Sequence, residues 1–356
     1  MRATINDIAR EAGVSKTTVS FAFNNPSKIS KDTFTRIMDI ARELGYVPDP
    51  VARTLAMKQT GSIGLLLPQS IHEVFQNPYI SEIMRGIGYI CDREGLSLGV
   101  LSPLKGVLTQ TIRNAAVDGI ITLGIGPGMT VLELFHQRGL PFVTIDGGAG
   151  EGLVNVGIND EAAAESLMEE VLRQGHREIA VFMLQNVTLS DNGDHFSQTN
   201  DTRLNGFNRA LKRHGLSFGA HTGIQVHHTE VSSESGRKVA RDLLSQKKRP
   251  TVIVCLADVQ ALGVYEECAA QGLSIPNDIS VVGFDDIPFS VFMNPPLTTL
   301  RQPGFEKGEA AAELLVKMIN KQPVSSMTLT AELVLRGSLA AARSWPQAHA
   351  DRKRTR

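Results

Sequence analysis

Two groups of side chains in this sequence have the types and spacing to do chemistry. The first lies in GVSKTTVSFAFN, Gly13 to Asn24. Read as a helix, the stretch puts Val19, Ala22 and Phe23 on a buried stripe and Lys16, Thr17, Ser20, Phe21 and Asn24 on the opposite face. A phenylalanine turned outward beside a cation, hydroxyls and an amide gains nothing from water. Lys16 and Thr17 sit in the first turn, where side chains reach base edges while free backbone N–H groups and the helix dipole favour phosphate. Phe21 offers an apolar surface suited to a thymine methyl. The bland alternative is a three-helix subdomain whose polar face meets only water.

The second group sits at the ends of short apolar runs: Gln69 and Ser70 after SIGLLLP, Asp146 after LPFVTI, Asp258 after PTVIVCLA, and Asp285 after ISVVGF. Arg203 is read as opening a helix after a long polar loop, and Phe75 and Tyr79 as a flat apolar wall. Paired carboxylates with an arginine form a hydrogen-bonding set suited to a hydroxyl-rich ligand. For Asp146 and Asp258 an equal reading is that a buried strand-end aspartate caps the following helix, and Phe75 can equally be packed beneath its loop.

The elements that must position these groups are legible in outline. Thr4 followed by Asp7 opens a short helix lined by Ile5, Ile8, Ala9 and Ala12, and Gly13 ends it. Ser15 caps the next helix after a tight turn, as in a helix-turn-helix. A third helix follows Ser30, with Phe34, Ile37, Met38, Ala41 and Leu44 on one face and Gly45 at its C-terminal cap. Asp49 and Pro50 read as an N-cap and first-turn proline of a further helix too short to stand alone. After Gly61 the runs SIGLLLP, LSLGVLS, DGIITLG, LPFVTID, EIAVFML, PTVIVCL and ISVVGFD alternate with helical stretches such as YISEIMRGIGYICDREG and EAAAESLMEEVLRQG. Strands alternating with helices give parallel sheets, and open parallel sheets bind ligands beyond their strand C-termini.

Bulk properties narrow the class. At 356 residues, 42% hydrophobic and 21% charged, the chain reads as an ordinary globular protein of two or three domains. Cys91, Cys255 and Cys268 have neither disulfide-framework nor zinc-site spacing. The start, MRATINDIAREAG, has no apolar signal-peptide region, and no run approaches the roughly 18 apolar residues of a membrane span, so a cytoplasmic protein without membrane partners is expected. Charge is uneven: about +3 over residues 1–60, about −8 over 61–342 and about +4 in the tail from Arg343. No nucleophile with its base, metal cluster or phosphate loop appears; GIGPG at Gly124 to Gly128 lacks the third glycine of a dinucleotide loop, and the adjacent acids of GFDD point to opposite faces of a strand. Neither an enzyme nor a cofactor is expected.

The run TINDIAREAGVSKTTVSFAFN, followed by ISKDTFTRIMDIARELGYVPDPVARTLAMKQTGSIGLLLP, resembles the DNA-binding head and hinge of the LacI/GalR family of bacterial transcription regulators. The resemblance continues through NPYISEIMRGI, VDGIITLG, GHREIAVF, TRLNGF, PTVIVCLADVQALG and ISVVGFDDI to LTTLRQP, nearly the whole chain. It implies a helix-turn-helix head over 1–47, a hinge helix and linker over 48–60, a periplasmic-binding-protein-like effector and dimerisation domain over 61–342, and a disordered basic tail over 343–356. The lobes are expected at about 61–159 with 290–322, and about 160–289 with 323–342, crossing near Asn159, between Phe289 and Thr299, and near Gln322. By the family pattern Lys16, Thr17 and Phe21 read bases, Thr4, Ser15, Thr18, Ser20, Asn24 and Arg53 complete the DNA contacts, and Leu55 wedges into the minor groove. Arg203 and Asp285 match effector-binding positions. The implied function is a regulator, in all expectation a repressor, binding near-palindromic operator DNA as a homodimer under control of a small molecule, most simply a carbohydrate. The rivals are a solute-binding protein and a regulator controlled by a protein co-regulator. The sequence departs from the pattern at Ala56 and Ala257, each of which removes a polar contact, and in the long loop QNVTLSDNGDHFSQTNDT, readable as a mobile surface loop or as a ligand lid.

Overall fold

The computed structural model describes residues 3–48, 59–67, 71–102, 108–127, 129–148, 150, 152–185, 187–188, 195–196, 198–219 and 221–343. The chain divides into two units, Met1–Gly61 and Ser62–Arg356. The hinge helix with Arg53, Leu55 and Ala56, the pair Gln69 and Ser70, much of the 185–202 loop and the basic tail lie outside the described residues.

The first unit holds helices α1 (Ile5–Ala12), α2 (Lys16–Asn24) and α3 (Lys31–Glu43). Ser15 and Ser30 each cap the next helix, accepting from Thr18 N at 3.1 Å and Thr33 N at 3.2 Å. Gly13 terminates α1 at φ +63°, a left-handed turn that lets α2 start three residues later. Ile8, Ala9, Ala12, Val19, Ala22, Ile37 and Ala41 form the small core, with Phe34 and Leu44 packed against it. The ring of Phe23 meets that of Tyr46 at 5.5 Å.

In the second unit the strands are β1 (Ser62–Leu66), β2 (Ser97–Leu101), β3 (Gly119–Leu123), β4 (Phe142–Ile145), β5 (Asn155–Ile158), β6 (Ile179–Leu184), β7 (Val187–Thr188), β8 (His195–Phe196), β9 (Ile224–Thr229), β10 (Val252–Cys255), β11 (Ser280–Asp285), β12 (Thr298–Arg301), β13 (Met327–Leu329) and β14 (Glu332–Val334). They form two six-stranded sheets, ordered β13-β5-β4-β3-β1-β2 and β14-β12-β11-β10-β6-β9, and a β7-β8 hairpin. All pairings within the two sheets are parallel except β12 with β14. The lobe boundaries differ from expectation after the first crossing. Thr298–Arg301 pairs with β11 in the second sheet, and Met327–Leu329 pairs with β5 in the first. The chain therefore crosses at Gln302–Pro303 and again between Leu329 and Glu332, later than the sequence suggested, because β12 is a central strand of the second lobe rather than a connector.

Helix Gly304–Ile319 returns to the first lobe and packs on helix Pro78–Glu94 through glycines. A Cβ at Gly86 would overlap the carbonyl oxygen of Phe305, and one at Gly308 that of Ile83. This close approach is what carries residues near the start of each helix to the end of the sheet where a ligand would sit.

Candidate functional site

In the first unit the predicted contact face is only partly free. Lys16 and Thr17 are exposed on the first turn of α2, as needed for reaching into a groove. Phe21 is half-buried rather than fully outward: the short turn Pro26–Lys28 folds back so that the Lys28 ammonium lies 5.1 Å from its ring centroid. The sequence reading missed Lys28, since its partner is seven residues away across a turn. Asn24 Nδ2 donates to Ser20 Oγ at 3.3 Å. The N–H and hydroxyl of Thr4 both donate to Asp7, at 3.0 and 2.7 Å, which with Arg10 nearby holds the Asp7 carboxyl below its usual range.

The second unit contains a cavity between the C-terminal strand ends of its two sheets. From the first lobe come Leu123, Tyr79 and Asp146; from the second come Leu184, Leu256 and Asp285. Asn77 caps helix Pro78–Glu94, its Oδ1 accepting from Tyr79 N at 3.1 Å, and so fixes Tyr79 on the wall. Asp146 follows β4 in a left-handed conformation, φ +55°, which turns it off the strand. Arg203 belongs to helix Gln198–Arg213, which starts five residues earlier than expected, so the arginine sits in the second turn. Its Nε donates to Asp160 at 2.8 Å, its Nη1 to the carbonyl of Leu256 at 3.3 Å, and its guanidinium lies 3.8 Å from the centroid of Phe284. Burial works against the charge of Arg203, and Asp160, Asp285 and Asp146 outweigh it, holding the guanidinium above its ordinary range.

Behind this wall lies a group the sequence did not reveal. Lys307 is fully buried, and its Nζ donates to Asp146 at 2.7 and 2.9 Å, to Gln302 Oε1 at 2.7 Å and to Tyr79 Oη at 3.0 Å. Gln302, at the second crossing, donates its Nε2 to Asp285 Oδ1 at 2.7 Å, so one hydrogen-bonded chain joins the two lobes. Asp285 Oδ2 is buried and finds no partner among the described residues. Burial, then the nearby Asp258 charge, pushes the Asp285 carboxyl well up; burial likewise raises Asp146, against the pull of Lys307, and Tyr79. Lys307 sits in GFEKGEAAAELL, whose charges read as a solvated helix face, and nothing in that pattern flags it.

Two expected contacts are not on the wall. Asp258 is completely buried, its Oδ1 accepting from Thr299 Oγ1 at 2.6 Å and its Oδ2 from Ser290 Oγ at 2.6 Å and Ile287 N at 3.0 Å. Its oxygens tie the β11–β12 connection to the start of helix Asp258–Ala270, and Ala257 lines the cavity in its place. A Cβ at Gly283 would collide with this carboxylate, which is why a glycine faces it. Phe75 is 48% exposed and neither forms the wall nor packs beneath the loop; Val74, 4% exposed, takes the wall position.

Burial raises the Asp258 carboxyl to about 6, with its hydrogen bonds opposing the rise. The folded state then holds this proton more tightly than the unfolded chain, so stability falls as pH rises from about 4 to about 6 and is level above. Wild type should lose on the order of 3 kcal/mol relative to Asp258→Asn across that window, read from urea midpoints. A constant difference between the two proteins would contradict it.

Sequence profiles match in two places: "Bacterial regulatory proteins, lacI family" over residues 4–49 and "Periplasmic binding protein-like domain" over 168–339. The ribose operon repressor of Haemophilus influenzae is 31% identical over 350 residues, covering 95% of this chain and 98% of the relative. The chain belongs to the lacI family. Among solved structures, the lac repressor dimer bound to operator and the anti-inducer ONPF aligns with a TM-score of 0.78 at 25% identity, covering 96% of this chain and all of that one. A LacI-family regulator from Enterococcus faecium with bound ribose aligns at 0.67 and 27% identity, over 79% of this chain and all of that one. This lacI-family chain is thus a DNA-binding transcriptional regulator with a mixed α/β, periplasmic-binding-protein-like ligand domain. Among the described residues no helix is long and apolar enough to cross a membrane.

Proposed function

We propose that this regulator is a repressor whose operator affinity is set by a carbohydrate-like effector held in the cavity between its lobes. The observation that carries the reading is the convergence of Tyr79, Asp146, Arg203, Asp285 and Gln302, drawn from both lobes, on one largely apolar cavity. Such a wall orients hydroxyls by hydrogen bonds and packs the faces of a sugar ring on apolar groups. The ribose seen in the Enterococcus faecium regulator and the ribose operon repressor among the relatives support the same ligand class. The groups hold rather than react: both cations have carboxylate partners, and Tyr79 is kept protonated by burial.

The head would read one half-site through Lys16, Thr17 and Phe21, and two heads a near-palindromic operator. A homodimer is supported by one loop of the second unit, where the apolar side chains of Phe289, Val291 and Phe292 are 55%, 50% and 83% exposed, surface that a second copy would cover. Control is then linkage: an effector preferring one lobe arrangement changes operator affinity by its differential binding to the two states. A thermal-shift screen of sugars and nucleosides on the whole protein, followed by operator titration with each hit, tests the reading, because a bound ligand raises apparent stability by mass action. A hit that leaves operator affinity unchanged contradicts it.

Lys16→Ala should cost about 1–3 kcal/mol on the cognate site and relax preference at one symmetric pair of base positions. Equal weakening on cognate and random DNA, measured by competition, would make Lys16 a phosphate contact instead.

A further inference from the structure

We infer that the cavity takes a ligand without any anionic group, and that phosphorylated and carboxylated sugars are excluded. The inference rests on the cavity being the effector site.

The argument is a charge count at close range. Among the described residues two cations stand at the wall or directly behind it, Arg203 and Lys307, and each already faces its own carboxylate, Asp160 at 2.8 Å and Asp146 at 2.7 Å. These four groups are nearly or fully buried, with side-chain exposures of 4%, 0%, 11% and 8%, so water does not screen the pairs. The remaining acid among the described wall residues is Asp285, whose Oδ2 has no partner among the described residues. Whether or not Asp285 carries its proton, neither of these two positive charges is left uncompensated. A phosphate or carboxylate would lose its hydration and receive no net counter-charge in return. A neutral hydroxyl loses little, and an ammonium gains the Asp285 charge. Arg203 keeps N–H groups to direct at a hydroxyl oxygen, but its charge is balanced.

The same count says how to reverse the selectivity. Asp160 is not on the wall; it stands behind Arg203. Asp160→Asn keeps an oxygen for the Arg203 Nε but removes the neutralising charge, so the guanidinium would face the cavity as a net cation. The wild-type ratio of parent to phosphorylated sugar needs no variant and decides the matter alone should Asp160→Asn fold poorly.

The test is titration calorimetry of the full-length protein with matched probes: ribose and ribose 5-phosphate, then glucose, glucosamine, glucose 6-phosphate and glucuronate. For whichever parent sugar binds, the phosphorylated or carboxylated form should bind on the order of a hundredfold more weakly. Glucosamine against glucose tells whether Asp285 prefers an ammonium or a hydroxyl. In Asp160→Asn, checked for a cooperative melting transition, the phosphorylated form should gain at least about tenfold relative to the parent sugar. Equal or tighter binding of the phosphorylated form by wild type overturns the inference and leaves the effector site standing. Silence across all six probes instead removes the carbohydrate reading itself, and this inference with it.

Discussion

Replacing Lys307 by methionine should lower the unfolding free energy of the ligand unit by about 3–5 kcal/mol, the usual cost of stripping one partner from a buried ion pair. The methionine fills much of the same volume, so the loss comes from charge and hydrogen bonding: Asp146 would be left buried with no counter-ion, and Tyr79 Oη and Gln302 Oε1 would lose their shared donor. Urea denaturation at neutral pH measures it. The double variant Lys307→Met/Asp146→Leu should recover most of the loss, since a buried pair replaced by apolar groups of similar volume is often neutral or better. A single variant within about 1 kcal/mol of wild type would mean that water reaches the ammonium, contrary to its complete burial.

Asp285→Asn should abolish effector response while leaving operator affinity without ligand near wild type. Asparagine can still accept from Gln302 through one oxygen, so the link between lobes survives, but the second oxygen is replaced by an amide nitrogen that cannot accept a proton from the ligand. The loss should be about 1–3 kcal/mol or more in effector affinity. Operator titration of the variant with and without the effector, checked by calorimetry, is the measurement. Undiminished response would place the ligand elsewhere in the cavity; loss of ligand-free operator binding in a folded protein would put Asp285 in the conformational switch. Arg203→Ala is the poorer experiment. Asp160 would be left buried beside the missing guanidinium, and misfolding would mimic loss of binding.

What could be read from the sequence followed the range of the interactions concerned. The head was legible in its caps and periodicity, because Ser15, Ser30 and Gly13 act on backbone groups a few residues away. The strongly apolar strands were legible for the same reason. Strands β5, β9, β12, β13 and β14 were not, since they are short, alternating or polar and gain their identity from a neighbour in the sheet. At the cavity, Asp146, Arg203, Asp285 and Tyr79 stood out as polar groups at strand ends or helix starts. Asp258 looked the same in sequence and is turned inward by three donors contributed from residues 287 to 299. Lys307 was invisible because its counter-ion Asp146 and its partner Tyr79 lie 161 and 228 residues away along the chain.

The late return crossings bear on the order in which the protein can be made. The first lobe is not finished until helix Gly304–Ile319 covers it and β13 closes its sheet edge, and the second waits for β14 at Glu332–Val334. The head needs nothing beyond its own first unit. On the ribosome the DNA-binding part is therefore complete while most of the controlling part is still unmade, and neither lobe can close before the segment from Met327 to Val334 emerges. A messenger cut short between the end of the first unit and β14 would yield a head that can fold, attached to a ligand unit that cannot.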